Sequence, residues 1–249
     1  NALSETDKYI YDHYTVPYNV EVVYRWNQGD VSSDDMRKNL VPPRESQVEP
    51  FLEMIEKVWM DTYTAEVGQQ TLRSYIPKQL LLVGSARYND DGSTTEGTAE
   101  GGRQIVLYSV NDFNFELEQI QSYAHVMHHE FAHILHQNVE YDAEFEKITP
   151  SYSSSWMQMN DETARSKGFI TAYAFSSADE DFAEMVSIML TNSPEDWDNM
   201  IENAGNAAAV EALRKKEAIV VAYMKNNWGV NMKDFQKEVV AAIEAAVRN

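Results

Sequence analysis

The sequence predicts an α+β fold, with a mixed sheet packed on one long helix and a mainly helical C-terminal lobe after it. Three observations carry that reading. Runs rich in β-branched and aromatic residues end by Val110, the stretch 114–137 repeats apolar residues at steps of three and four, and the tail from Asp179 keeps helical spacing. The chain has 249 residues, 43% of them hydrophobic, enough for one substantial core. We therefore expect a single unit over 1–249, with an α/β lobe at 1–140 that includes the long helix and a helical lobe at 141–249.

The elements follow in order. The first quarter reads as extended, with Val20-Glu21-Val22-Val23-Tyr24-Arg25-Trp26 as its strand. A polar loop over 27–35 and the Pro42-Pro43 break precede a helix over 46–64, where Val48, Phe51, Leu52, Ile55, Val58 and Trp59 share one face. Leu80 to Gly84 reads as a buried strand. The polar stretch from Tyr88 to Gly102 holds a strong turn signal, Asn89-Asp90-Asp91-Gly92-Ser93; its acids do not match the spacing of a calcium-binding EF-hand. Strand character resumes over Arg103–Val110. On the helix over 114–137, Leu117, Ile120, Ala124, Met127, Phe131 and Ile134 form a buried stripe. After a mixed linker come helices over 179–190, from Ser193, over 207–226 and over 232–247. Ser193 can cap free amides, Pro194 suits the first helical position, and Glu195 and Asp196 complement the positive helix end.

The formal charge is −20, from 40 acidic and 20 basic side chains. Such a surface repels phosphate backbones, so no nucleic-acid partner is expected. Cysteine is absent, which removes both disulfides and thiolate metal sites. No apolar run approaches the roughly 20 residues that cross a bilayer. The chain opens at Asn1 rather than Met, so an upstream segment is expected to have been removed, and export stays open.

The long helix carries His128-His129-Glu130-Phe131-Ala132-His133-Ile134-Leu135-His136, and within it H-E-x-x-H. Residues four apart on a helix lie one above the other, so His129 and His133 can converge on one zinc ion. Glu130 sits beside the first ligand, where it can take a proton from the attacking water instead of binding metal. Ordinary surface or core histidines are the competing reading. Against it, Phe131, Ala132, Ile134 and Leu135 make these surroundings apolar, and unpaired polar groups there would carry a desolvation cost.

A third ligand is sought further on. Asp179-Glu180-Asp181-Phe182-Ala183-Glu184 opens an apolar helix, and Glu180 and Glu184 lie one turn apart on a shared face. One can bind metal while the other accepts a proton from a ligating histidine. Acids at a helix start also occur for electrostatic reasons alone, though Glu184 lies too deep for that. His136 stands two turns, about 10 Å, beyond His129, too far to share one ion with it, and His128 points off the His129 face.

Together these stretches resemble the gluzincins, zinc peptidases whose third ligand is a glutamate on a later helix. The segment Tyr173-Ala174-Phe175-Ser176-Ser177-Ala178-Asp179-Glu180-Asp181-Phe182-Ala183-Glu184 is similar to the catalytic-domain family of anthrax lethal factor. That resemblance implies a zincin-like metallopeptidase fold with Glu180 as the zinc ligand. It also implies Glu184 as a supporting carboxylate and Tyr173 as the hydroxyl facing the reacting carbonyl. A broader resemblance is to zinc metallohydrolase lipoproteins of Bacteroidetes encoded beside outer-membrane nutrient-import systems. It rests on Tyr11-Asp12, Pro17-Tyr18-Asn19-Val20-Glu21-Val22, Tyr24-Arg25-Trp26, Tyr75-Ile76-Pro77-Lys78 and both metal stretches. It implies a cell-surface protein held at the outer membrane by a lipid anchor absent from this chain, in association with nutrient-import machinery.

The expected function is thus zinc-dependent hydrolysis of a peptide or protein substrate, with Glu130 as general base. The helical lobe supplies the third ligand within a single catalytic unit. The alternatives are a zinc hydrolase of another amide and a non-catalytic cell-surface binding module. The strand Gly102 to Tyr108 precedes the long helix as the substrate-binding edge strand does in the superfamily it resembles. If its edge is free, an extended peptide can pair with it, with Arg103 and Tyr108 structural by default. Core packing is the default for the tryptophans, though Trp156, in the polar segment 151–160, can instead line a cleft or contact glycan.

Overall fold

The computed structural model describes residues 2–248, apart from the side chain of Glu100. The chain opens with helix, not with the extended segment expected: α1 (Glu5–Ile10), a π turn (Tyr11–Thr15) and α2 (Val16–Tyr18) run end to end. The cause is local. Ser4 accepts from the Asp7 N–H while the Asp7 carboxylate accepts from the Ser4 N–H, a capping box that starts the helix. Tyr14 is then fully buried, and its hydroxyl donates to the Leu52 carbonyl at 2.5 Å.

The strand β1 (Glu21–Val23) covers only the middle of the run expected over 20–26. The helix expected over 46–64 extends at both ends, as α3 (Glu45–Ile55), a π turn (Glu56–Met60) and α4 (Asp61–Val67), with α5 (Gln69–Tyr75) after Gly68. Next come β2 (Gln79–Leu82) and a hairpin of β3 (Arg87–Tyr88) and β4 (Thr94–Thr95), which closes across the expected turn at Asn89 to Ser93. The strands β5 (Gly97–Glu100) and β6 (Gln104–Leu107) follow.

The larger sheet has the order β1-β2-β6-β5. Its first three strands are parallel, and β5 runs antiparallel to β6 with Gly97 opposite Leu107 and Glu100 opposite Gln104. The condition of a free edge on the strand before the long helix is therefore not met. β6 is hydrogen-bonded on both sides, and β5 is the outer strand. The sequence of β5, Gly-Thr-Ala-Glu, has no large β-branched or aromatic residue, so it reads as part of the polar stretch around it. Gly97 also allows a close approach: a Cβ there would collide with Cγ1 of Val126 on the long helix.

That helix, α6 (Leu117–Asn138), is one unbroken element. The chain divides into two compact units, Asn1–Glu130 with Ile243–Asn249, and Phe131–Ala242, so α6 passes from one into the other. In the first unit, Phe51 packs edge-on against Phe113 and Tyr123. Trp26 donates to the Leu82 carbonyl at 2.8 Å, and Tyr123 to the Tyr108 carbonyl at 2.5 Å. The final residues return here, where the Arg248 guanidinium lies 3.8 Å over the Phe115 ring.

After β6 the described residues hold no strand. The helices are α7 (Glu144–Ile148), α8 (Asp161–Ser166), α9 (Ala178–Thr191), α10 (Pro194–Glu202), α11 (Ala207–Trp228) and α12 (Met232–Ala246). The Ser193 hydroxyl caps α10 by accepting from the Asp196 N–H, with Pro194 in the first turn as expected. Gly229, at φ +68°, ends α11 in the left-handed conformation that glycine adopts without steric cost. The core of the second unit centres on Phe182, stacked on Tyr141 at 4.5 Å and edge-on to Phe145 and Tyr223. The outcome is the α+β arrangement expected, a sheet-bearing region followed by a largely helical one.

Candidate metal centre

The helix α6 sets His129 and His133 one turn apart on one side. Glu130, half-buried, follows His129 and is rotated about 100° around the axis. His129 is 5% exposed; the flanking Phe131, Ala132, Ile134 and Leu135 are all buried. The helix α9 brings the carboxylate. Its N-cap is Ser177, whose hydroxyl accepts from the Glu180 N–H at 3.2 Å. This anchors the first turn at the residue whose side chain reaches α6. The Glu180 Oε2 lies 3.0 Å from His133 Nε2.

The ligating atoms of His129, His133 and Glu180 all lie within 4.8 Å of one another. Zinc binds imidazole nitrogen and carboxylate oxygen at about 2.0–2.2 Å in tetrahedral geometry, which sets two ligand atoms roughly 3.4 Å apart. The 3.0 Å between His133 and Glu180 is close to that separation. Two nitrogens and one oxygen, with a fourth position to spare, also match the donor chemistry of catalytic zinc. The residues therefore fit the ion.

Glu184, one turn along α9, is 2% exposed. Its Oε1 accepts from the Thr171 hydroxyl at 2.9 Å and its Oε2 from the Ser187 hydroxyl at 3.3 Å. It also forms a second close group with His125 and His129, which puts a buried carboxylate beside the first histidine of the motif. Tyr173 opens a 3-10 turn (Tyr173–Ser176) leading into the α9 cap; it is 37% exposed and edge-on to Trp156, with ring centroids 4.9 Å apart. Trp156 is half-buried, on the turn Ser154–Gln158 that is tied to this one by the Ser153 N–H and the Phe175 carbonyl.

His128 points elsewhere: fully buried, its Nε2 donates to the Val58 carbonyl at 2.9 Å. Burial pushes its pKa down to about 4, so the ring is neutral. Tyr108 is structural as well, its hydroxyl donating to buried Asp35 at 2.6 Å.

Two features escaped the sequence reading. His136 Nε2 lies 2.8 Å from His133 Nδ1; the i,i+3 spacing was the available signal. Burial first, and the neighbouring His133 second, push the His136 pKa down. The other is Asp181, directly after Glu180. It is fully buried with Lys216 at 2.7 Å, and the Tyr152 hydroxyl donates to it at 2.8 Å. Lys216 also donates to the Gly168 carbonyl at 2.7 Å and sits 4.1 Å over the Phe169 ring. Burial pushes the Asp181 carboxyl up and the Lys216 ammonium down. Lys216 lies on α11, and nothing near it in sequence marks it as buried.

A family model described as "Putative zinc-binding metallo-peptidase" matches residues 1–233. A crystal structure described as that of "a putative zinc-binding metallo-peptidase" from Bacteroides caccae is 31% identical. The alignment covers 98% of this chain and 95% of that one, with a TM-score of 0.83. No curated protein matches the chain. The shared fold is consistent with a zincin-like metallopeptidase architecture.

Proposed function

The chain belongs to the zinc-binding metallo-peptidase family whose model it matches, and from that membership we propose that it is a zinc-dependent endopeptidase with Glu130 as general base. The observation that carries this reading is the cluster of His129, His133 and Glu180, with Glu130 next in the helix after the first ligand. Zinc held by these three groups would supply a Lewis acid that polarises the scissile carbonyl and acidifies a water. The Glu130 carboxylate takes the proton of the attacking water and passes it to the leaving amide nitrogen. Tyr173, exposed enough to meet substrate, donates from its hydroxyl to the carbonyl oxygen as negative charge develops there. Glu184 accepts from the ring nitrogen of His129 that faces away from the metal and holds its orientation. An extended peptide or protein substrate pairs with the backbone of β5, the outer strand.

The resemblance to Bacteroidetes lipoproteins supports a place for the reaction. We propose a cell-surface protein, held at the outer membrane by a lipid anchor outside this sequence, that works beside nutrient-import machinery. A net charge of −20 supports a protein or peptide partner over nucleic acid. Among the described residues no helix is long and apolar enough to cross a membrane.

The test is a peptide-library digest by zinc-loaded wild type and Glu130→Ala, with metal content measured on both. The variant should keep its zinc while cleavage drops by about 100- to 10,000-fold. Turnover unchanged in the variant would remove Glu130 from the reaction.

A further inference from the structure

We propose that His136 is a positioning residue for the metal centre, setting through one hydrogen bond which nitrogen of His133 faces the ion; the inference rests on the metal reading above. His133 has two ring nitrogens in two different contacts. Nε2 lies 3.0 Å from Glu180 Oε2, and Nδ1 lies 2.8 Å from His136 Nε2. A neutral imidazole carries one proton, so the contact at one nitrogen dictates what the other can do. An ionised Glu180 can only accept, which puts the proton on His133 Nε2 and requires His136 to donate to Nδ1. When Nε2 instead offers its lone pair to an ion, the proton sits on Nδ1 and His136 must accept it.

Histidine meets both demands because its own Nε2 can donate or accept. A carboxylate in that place could only accept, and an ammonium could only donate. The second form is the one that matters for binding, since a ligating histidine held by an acceptor at its far nitrogen has a fixed tautomer and ring orientation.

The surroundings hold His136 in this position. It is 7% exposed. Its ring stands edge-on to Phe182 at 5.8 Å and to Tyr141 at 5.5 Å. Tyr141 is fixed in turn by stacking on Phe182 and by donating to Asp179 at 2.7 Å. The aromatic packing fills the space around the His136 ring, so the ring has little room to swing away from His133.

The experiment is a zinc titration against a competing chelator on wild type, His136→Phe and His136→Gln, with the metal-free thermal midpoint of each. Gln can turn its amide to donate or accept at similar reach, whereas Phe keeps the ring and loses the hydrogen bond. His136→Phe should weaken zinc by about 10- to 100-fold, and His136→Gln should recover most of the loss, at metal-free midpoints that do not follow the same order. Zinc binding by His136→Phe within threefold of wild type would overturn the positioning role and leave the metal reading intact. Equal weakening in both variants would also overturn it, in favour of packing alone. No zinc binding by wild type would overturn the metal reading itself.

Discussion

Tyr173 stands 37% exposed, edge-on to Trp156 with ring centroids 4.9 Å apart. A hydroxyl so placed can meet a substrate and adds little to the core. Tyr173→Phe should therefore lower kcat by about 100-fold or more if the hydroxyl faces the developing charge, with zinc content and thermal midpoint unchanged. A kcat equal to wild type would exclude that role. The H-E-x-x-H pair was legible in sequence because four-residue spacing on a helix is a local rule. The place of His136 was not, since it depends on ring orientations set by Tyr141 and Phe182. Glu180 could be picked out with Glu184, but spacing alone left the choice between them open; the 3.0 Å approach to His133 is a tertiary fact.

At the scale of an element, α9 is held at its start by two devices. The Ser177 cap secures the backbone at Glu180, and the buried Asp181–Lys216 pair ties the next residue to α11. Removing one partner of a buried pair leaves an uncompensated charge, so Lys216→Met should cost about 3–5 kcal/mol. Asp181→Asn with Lys216→Met should cost less than the two single changes summed, read as a coupling energy in urea unfolding. Additive losses would show that the pair does not act as a unit. Secondary structure was easiest to read where a cap and a periodic stripe agree, as in α10 behind Ser193 and Pro194. It was hardest where they conflict. The helix over 5–18 has a capping box at Ser4 but many aromatic and β-branched residues, and the box outweighs their weaker helix preference.

For the whole molecule, the metal would join α6 to a helix that starts forty residues beyond its end. Binding to the folded chain alone adds stability by mass action, about 2.7 kcal/mol at a hundredfold excess over Kd. Chelation of the zinc-loaded protein should thus lower the thermal midpoint by several degrees, and the same treatment should leave Glu180→Ala unmoved. A chelator-insensitive wild type would contradict the metal's structural part. The fold class was legible because strand-like and helix-like runs are segregated along the chain. The strand order was not, because β5 is recognisable only by its partner β6.

The return of residues 243–248 to the first unit bears on the order of synthesis. The Arg248 N–H reaches the Phe115 carbonyl at 3.3 Å, and its guanidinium reaches Glu53 at 3.4 Å. A ribosome delivers Phe115 and Glu53 long before Arg248. The sheet-bearing unit therefore waits, incomplete, while the whole helical unit is made, and the contacts of residues 243–248 are the last it gains.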